Sequence, residues 1–473
     1  MSGPELYALL PLLILVLGST SVLMIGAWNP TRRPLFLIGV VTALTAATAA
    51  AFWPAPLAEV SRMFSCGPYA RFFTVLWSLA AAMCLLLSLR CGEDRRFPGG
   101  EYTALVLFAA AGMSLLSAAT SLIGVFLGLE SFTLVLYILI AIDKNCAFGT
   151  EAGLKYLVMG IVATGLLTFG IALIYAATGT FHLPEAMTGL GTEAGLRPLG
   201  MLGWGLLLCA IGFKASLVPF HLWTPDVYQG APSPVTALLS TGAKGSLLAA
   251  LIVVMQGVPI PSLADLAPVL SALAVLSMLV GSLCALRQTN IKRMLAYSSI
   301  VHMGYVLTAL LAGGSAGFSA VVFYLVVYTI ANFGAFGVIT SFAIQGREPQ
   351  EYADLAGLGY HHPRRGAALA FFLLSLAGVP PAAGFIGKFG IFYAAIEAGY
   401  LGLALLGVLA SLLSMYYYLR PIIVLFMADE RSACLHRGAI EEHGVLAFCL
   451  AATLLLGLYP GPLLNLVIAI LPG

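Results

Sequence analysis

The sequence has few charged residues, no cysteine pair spaced as CxxC and no long polar segment. Only 9% of its 473 residues are charged, whereas a soluble domain carries about 25%. This shortage excludes a soluble enzyme, a disordered chain and a nucleic-acid-binding protein. The net charge of +2 carries little information. The positions of the individual charged residues are more informative.

The eight cysteines do not indicate a metal centre. Only Cys434 and His436 lie close together, and they are too few ligands for a zinc or iron–sulfur site. We expect most cysteines to be small apolar packing residues. The first apolar run begins almost at Met1 without a basic segment or a cleavage site, so we expect a membrane span there and not a removable signal peptide.

Hydrophobic residues make up 60% of the chain, enough for about fourteen spans of about 20 residues each. The apolar runs are long and continuous, which excludes a β-barrel of alternating ten-residue strands. We therefore predict an all-α polytopic membrane protein. The predicted spans are residues 5–25, 35–53, 72–89, 103–118, 121–141, 154–176, 201–222, 233–255, 267–287, 291–312, 317–342, 366–396, 401–427 and 443–466.

Basic residues are unevenly divided between the two sides of this arrangement. With the N-terminus outside, the inner loops and span ends hold fourteen of them, namely Arg32, Arg33, Arg90, Arg95, Arg96, Lys144, Arg287, Lys292, Arg293, Arg347, Arg364, Arg365, Arg431 and Arg437. The outer loops hold only Arg62, Arg71 and Arg197. Because cytoplasmic loops carry the excess of Lys and Arg, both termini are predicted to face the periplasm.

The remaining basic residues are predicted to lie at membrane depth. They are Lys155, Lys214, Lys244, Lys388 and Arg420. The last of these stands toward a helix end, where its long side chain can reach the interface. Charged groups at such depth are costly and therefore pair, lose their charge or line water.

A sparse internal repeat relates two parts of the chain. An offset of 168 positions aligns Tyr137 with Tyr305, and an offset of 161 aligns Pro219 with Pro380. Five spans are thus predicted to recur as five more. Since an odd number of spans reverses direction, the two copies are expected to be inverted in the membrane, as in many transporters.

The repeat divides the chain into four predicted segments. Residues 1–100 form three N-terminal spans, and residues 101–256 form the first copy, with spans four to eight. Residues 265–428 form the second copy, with spans nine to thirteen, and residues 440–473 form a C-terminal helix.

Prolines interrupt one span in each copy. Pro219 stands in the seventh span, and Pro380 and Pro381 stand in the twelfth. Proline removes a backbone donor and disrupts the preceding turn, and backbone freed at membrane depth needs protein or water as a partner. Breaks next to Lys214 and Lys388 therefore predict local hydration. A simple proline kink is the alternative.

Glu130, Lys214 and Lys244 come from the fifth, seventh and eighth spans of one copy. A lysine beside a carboxylate stays charged, whereas burial without a partner lowers a lysine pKa by up to about 3–5 units. We therefore predict a proton relay, in which the lysine releases its proton when Glu130 moves away. The alternative is a structural ion pair that fixes the helix order.

Two histidines are weaker candidates for proton transfer. His221 lies seven residues after Lys214, about two helical turns along, and His302 lies in the tenth span. An imidazole can pass a proton in either direction, although a buried histidine is more often a hydrogen-bonding structural residue. Asp226 and Tyr228 are expected to be structural.

Several of these stretches resemble the antiporter-type membrane subunits of respiratory complex I, most closely their N-type branch. They are GLESFTLVLYILIA around Glu130, GLKYLVMG around Lys155, FKASLVPFHLWTPDVYQGAPSPVTALLSTGAK, NIKRMLAYSSIVHMGYVL and AGVPPAAGFIGKF. The likeness covers about residues 100–400, and HLWTPDVYQGAPSPVTA is its most specific part. Lys388 on the broken twelfth span also resembles the N-type branch.

The resemblance implies a non-redox subunit of a proton-pumping NADH-quinone oxidoreductase in the bacterial inner membrane. Glu130 and Lys214 match the family's coupling pair. Lys244 matches the central relay, and Lys388 matches the charged residue that faces the periplasmic exit.

The resemblance also implies accessory residues and partners. Lys155 and His221 match accessory members of the relay. The chain itself is expected to hold no cofactor and no metal, while partner subunits carry FMN, iron–sulfur clusters and quinone. The expected neighbours are an M-like antiporter subunit, a small K-like subunit and the lipid bilayer, with no nucleic acid.

Other functions remain open from the sequence. One is a subunit of a multisubunit sodium/proton antiporter, with the membrane arm of an energy-conserving hydrogenase as a close variant. Another is a structural spacer that conducts no ions.

Overall fold

The computed structural model describes residues 3–28, 31–53, 59–188, 196–256, 260–427 and 439–471. Within these residues, 13 helices are long and apolar enough to cross a membrane. The predicted twelfth span is a pair of 15-residue apolar helices. The all-α polytopic fold is therefore confirmed. Arg431, Cys434, His436 and Arg437 lie outside the described residues.

The helices are numbered along the chain. Those up to residue 230 are α1 Gly3–Ala8, α2 Leu10–Trp28, α3 Arg32–Phe52, α4 Pro68–Asp94, α5 Gly99–Ser117, α6 Leu122–Ile140, α7 Ala147–Thr178, α8 Leu183–Thr188, α9 Arg197–Ala215 and α10 Trp223–Gly230. Those after it are α11 Ser233–Leu238, α12 Lys244–Gln256, α13 Ile260–Leu286, α14 Ile291–Ala312, α15 Gly314–Ser341, α16 Leu358–His361, α17 Pro363–Ala377, α18 Ala383–Glu397, α19 Leu401–Met427, α20 Ile440–Leu458 and α21 Gly461–Ile470.

Four short elements complete the fold of the residues that the structure describes. Strands β1 Glu59–Val60 and β2 Phe64–Ser65 pair antiparallel between α3 and α4. A π-helical turn, Leu239–Ala243, joins α11 to α12, and a 3-10 turn spans Tyr352–Leu355.

Helices α14 and α15 form the centre of the bundle. Every residue in the membrane-length apolar stretch of α15 is buried, whereas only 22% of the corresponding stretch of α2 is buried. Helix α15 contains no charged residue and is apolar all round, and a helix of this kind needs protein on every side. Gly334 lets α17 approach closely, since a Cβ there would overlap the ring of Phe372.

The structure contains both interruptions predicted from proline. Helix α9 ends at Ala215, and Ser216 adopts the left-handed conformation with φ 62°. Helix α17 ends at Ala377, and Gly378 adopts the same region with φ 88°. Left-handed residues commonly end helices because they turn the chain away from the helix axis. The inverted relation of the two copies and their boundaries stay predictions.

We expect close packing at the second break to limit substitution. A methyl group at Gly384 would overlap the carbonyl oxygen of Ser375, whereas nothing lies within 4 Å of a Cβ at Gly165. Gly384→Ala should destabilise the chain by about 1–3 kcal/mol through overpacking. Thermal unfolding of the purified membrane complex measures this. Gly165→Ala is the matched control and should leave the transition unchanged or raise it, and equal behaviour of the two variants would contradict the packing.

Candidate functional site

Lys214 lies in the last turn of α9, directly before the first break. The carbonyl ends of a helix carry a partial negative charge that favours a cation. Trp223 fixes the segment after the break, because its indole Nε1 donates to the carbonyl of Phe213 at 2.9 Å. The break therefore places a buried ammonium group where backbone oxygens are concentrated.

Glu130 and Lys214 form a loose pair. Glu130 Oε1 is 3.9 Å from Lys214 Nζ and accepts a hydrogen bond of 2.7 Å from the Thr164 hydroxyl. The Lys214 ammonium donates to the Thr133 hydroxyl at 3.4 Å and stands 5.9 Å from the centre of the Tyr137 ring. The predicted coupling pair is thus brought together, with both groups held mainly by neutral hydroxyls.

Lys244 is deeply buried, with 1% of the residue exposed. Its Nζ donates to the Ser299 hydroxyl at 2.7 Å, and the Tyr228 hydroxyl lies 3.1 Å from the same Ser299 oxygen. In the described part of the chain, no carboxylate lies within 4 Å of this nitrogen. The π-helical turn directly precedes Lys244, and such turns are frequent at functional sites.

A hydroxyl and imidazole cluster follows Lys244 on α14. Ser298 hydrogen-bonds the Tyr418 hydroxyl, which lies 2.9 Å from His302 Nε2. The other ring nitrogen, Nδ1, bonds the Tyr324 hydroxyl. Because Ser298 and Ser299 are adjacent, α14 joins the surroundings of Lys244 to those of His302.

Lys388 lies on α18 just after the second break. Its Nζ donates to the carbonyl of Ala377 at 2.8 Å and to the Ser411 hydroxyl at 2.9 Å, and it lies 5.2 Å from the centre of the Tyr305 ring. Ala377 is the last residue of α17, so the break supplies the carbonyl. The His302 ring lies 5.7 Å from the same Tyr305 ring, measured between the ring centres.

Several buried hydroxyls close to the first break lack a protein partner. They belong to Tyr137, Ser216 and Thr224. Buried polar groups are almost always hydrogen-bonded, to protein or to ordered water. The surroundings of Lys214 therefore have the chemical character of a site that holds water.

His221 is buried, but it is not two helical turns from Lys214 as predicted. The helix stops at Ala215 and resumes at Trp223, so His221 lies in the irregular segment between them. Among the described residues, Lys214 hydrogen-bonds Thr133 and not His221. The accessory role of His221 stays a prediction.

Lys155 lies near the start of α7, and its place at membrane depth stays a prediction. Its side chain is 44% exposed and pairs with Glu151 and Asp226, each at 2.8 Å. Arg293 pairs with the other oxygen of Asp226 at 2.6 Å. Lys155 therefore belongs to a network of ion pairs in which Asp226 contacts both Lys155 and Arg293.

Sequence reasoning missed a second ion pair, which is fully buried. Lys292 Nζ is 3.0 Å from Glu348 Oε2, and both side chains are 1% exposed. The sequence places Lys292 at a loop or span end, and no pattern in it singles out Glu348. One feature of the sequence could have indicated this pair. Glu348 is an acidic residue in a short loop, and Lys292 and Arg293 begin the tenth span.

Glu348 is held by several donors at once. Its oxygens accept from the Ser233 backbone N–H at 3.0 Å and hydroxyl at 2.8 Å, and Arg95 lies 3.7 Å away. Burial alone would raise the pKa of this carboxyl, but Lys292, Arg95 and the Ser233 hydrogen bonds lower it to about 2. Glu348 therefore stays ionised at any physiological pH.

A charged cavity of about 900 Å³ opens next to the Lys292–Glu348 pair. The residues around it come from the loops predicted to face the cytoplasm, and the charged residues among them are Asp94, Arg95, Arg96, Asp143, Lys292, Arg347 and Glu348.

Within the described residues, no group of three or more His, Cys, Asp or Glu side chains could hold a metal ion. The arrangement as a whole suits proton transfer along neutral hydroxyls and buried lysines.

Comparisons with known proteins identify the family and the fold. A family model described as NADH:quinone oxidoreductase/Mrp antiporter, TM, matches residues 119–414. NADH-quinone oxidoreductase subunit N of Syntrophotalea carbinolica is 48% identical over the full length of both chains.

Solved structures are similar as well. A chain of respiratory complex I from Thermus thermophilus superimposes with a TM-score of 0.82 at 34% identity, covering 96% of this chain and 98% of the other. A chain of the archaeal membrane-bound sulfane sulfur reductase gives 0.85 at 26% identity, covering 97% and 96%.

The two kinds of ion pair should respond differently to the same substitution. Lys292→Met leaves Glu348 buried without its nearest cation and should cost about 3–5 kcal/mol. Lys155→Met breaks an exposed network and should cost less than about 1 kcal/mol. Thermal unfolding of the assembled complex compares them, and similar losses would show that the burial difference is wrong.

Proposed function

The chain belongs to the NADH:quinone oxidoreductase/Mrp antiporter transmembrane family, and from this membership we propose that it is the N-type, proton-translocating membrane subunit of a NADH-quinone oxidoreductase. The observation that carries the proposal is the buried line Lys214, Lys244, His302 and Lys388, with Glu130 at its start. Ionisable residues inside a membrane bundle mark ion pathways.

The Glu130–Lys214 pair is the proposed coupling element. An ammonium group beside a carboxylate keeps its proton, and the same group in an apolar environment without that partner releases it more readily. At 3.9 Å the pair is loose, and Thr164 and Thr133 offer each group a neutral partner. Small movements of α6 against α9 would therefore change whether Lys214 holds its proton.

Lys244 and Lys388 are the proposed central and exit relays. Hydroxyls serve proton transfer because each can donate and accept. Ser299 contacts Lys244, and Ser411 contacts Lys388. His302 and its tyrosines lie between the two lysines and provide an imidazole that passes protons in either direction. Lys155 and His221 are proposed as accessory residues, away from the main line.

The driving force has to come from partner subunits. Moving one proton against 100 mV costs about 2.3 kcal/mol, and the sequence offers no motif for redox chemistry or hydrolysis. We assign FMN, iron–sulfur clusters and the quinone site to those partners. An M-like antiporter subunit and a small K-like subunit are the proposed neighbours in the bacterial inner membrane, with both termini of this chain periplasmic.

A sodium/proton antiporter subunit is the second candidate, because the family description includes Mrp antiporters. The full-length identity to a subunit N favours the first candidate. Purifying the native complex separates them: flavoprotein and iron–sulfur partners support the oxidoreductase, and small membrane subunits alone support the antiporter.

Lys244→Ala should abolish most redox-driven proton pumping while the complex still assembles, because the central proton carrier is lost. Acidification of inverted membrane vesicles driven by NADH measures pumping, and blue native gels measure assembly. Lys144→Ala, at an exposed loop lysine, is the control and should pump normally. Unchanged pumping in assembled Lys244→Ala complexes would overturn the relay.

A further inference from the structure

Glu348 has no part in the proposed relay, yet together with Lys292 it joins three helices that surround Lys244. It lies in the segment after α15 and contacts Ser233 at the start of α11 and Lys292 at the start of α14. Lys292 also donates to the carbonyl of Ala231 at 2.5 Å, directly after α10. Glu348 and its partner Lys292 thus hold the ends of α10, α11 and α14 together.

The contact with Ser233 acts as a helix cap supplied from another segment. The residue before α11 is Pro232, which provides no side-chain cap. The first N–H groups of a helix have no partner within it, and an anion at that end is favourable. Glu348 meets both needs. Helix α11 leads through the π-helical turn to Lys244, so this cap fixes the beginning of the lysine's own helix.

The contact with Lys292 fixes the other side of the Lys244 site. Lys292 and Ser299 are seven residues apart on α14, which is two turns, or about 10 Å, along one helix face. Ser299 is the group that accepts the hydrogen bond from Lys244 at 2.7 Å. The donor helix and the acceptor helix are therefore anchored to the same carboxylate.

We propose that Glu348 is a positioning residue for proton transfer at Lys244, because it sets the distance between the Lys244 ammonium and the Ser299 hydroxyl. The inference rests on the proposed function of Lys244 as the central relay. Lys244 has no carboxylate partner among the described residues, so its placement depends on the two helices and not on an ion pair of its own.

Glu348 is not itself a proton carrier. A carboxyl group whose folded pKa is lowered from 4.5 to about 2 contributes its stability above pH 4.5, and that stability is lost as the pH falls toward 2. Between pH 6 and 8 the group is permanently ionised. Its effect on proton transfer therefore has to act through geometry.

The test is Glu348→Gln in the whole membrane complex. Because a displacement of about 1 Å can cost about a hundredfold in rate, we expect NADH-driven proton pumping per assembled complex to fall about ten- to a hundredfold. The pH at half-maximal pumping should move by about one unit, because Lys244 loses its fixed hydrogen bond. A residue that only stabilises the fold would leave this pH unchanged.

Glu442→Gln is the matched control. Glu442 is another buried carboxylate, paired with Arg90 at 3.4 Å, but it lies at the start of α20 and contacts neither α11 nor α14. Its loss should lower stability and leave pumping per assembled complex unchanged. Equal losses of pumping in Glu348→Gln and Glu442→Gln would overturn the inference.

A double variant covers the case in which Glu348→Gln fails to assemble. Glu348→Gln with Lys292→Gln removes the unpaired buried cation and should recover assembly, while pumping stays impaired because the anchor is gone. Recovery of pumping together with assembly would overturn the positioning role. Lys244→Ala serves as the reference: if it pumps normally, the proposed function fails, whereas normal pumping in Glu348→Gln alone defeats only this inference.

Discussion

The arrangement depends on one constraint, that an ammonium group buried in a membrane bundle needs oxygen atoms around it. Interrupting a helix is one way to supply them. The break after α17 frees the carbonyl of Ala377 for Lys388, and the end of α9 places its carbonyls near Lys214. Lys244 stands in a continuous helix and obtains its oxygen from Ser299 on a neighbour. The helix breaks and the hydroxyl groups of α14 thus serve the same purpose, which is to supply oxygen atoms to buried ammonium groups.

The sequence predicted the features that local chemistry determines. Apolar runs of about 20 residues located the spans, prolines located both breaks, and charge in apolar surroundings located Lys214, Lys244 and Lys388. Some contacts between segments that are distant in the sequence could not be predicted. Lys155 lies on an exposed helix face beside Asp226, which spacing along one span does not reveal. Glu348 reaches the bundle only because its loop folds back over α11.

The carboxylates of Glu348 and Glu130 differ in ways that suit different tasks. Glu348 is surrounded by charged and hydrogen-bonding donors and sits 3.0 Å from Lys292, so any displacement leaves an uncompensated charge at a cost of several kcal/mol. Glu130 stands 3.9 Å from Lys214 and shares its oxygen with Thr164. A loosely held pair can separate and re-form, whereas a carboxylate held by three hydrogen bonds is suited to anchoring.

The same reasoning explains why neutral groups surround the lysines beyond Glu130. A proton carrier has to be stable both with and without its proton. A carboxylate beside it favours the charged state alone, and an apolar wall favours the neutral state alone. A serine or tyrosine hydroxyl accepts from the ammonium form and donates to the amine form. In the proposed relay, Ser299 at Lys244 and Ser411 at Lys388 would therefore let each lysine change its protonation state, which an ion pair at either position would oppose.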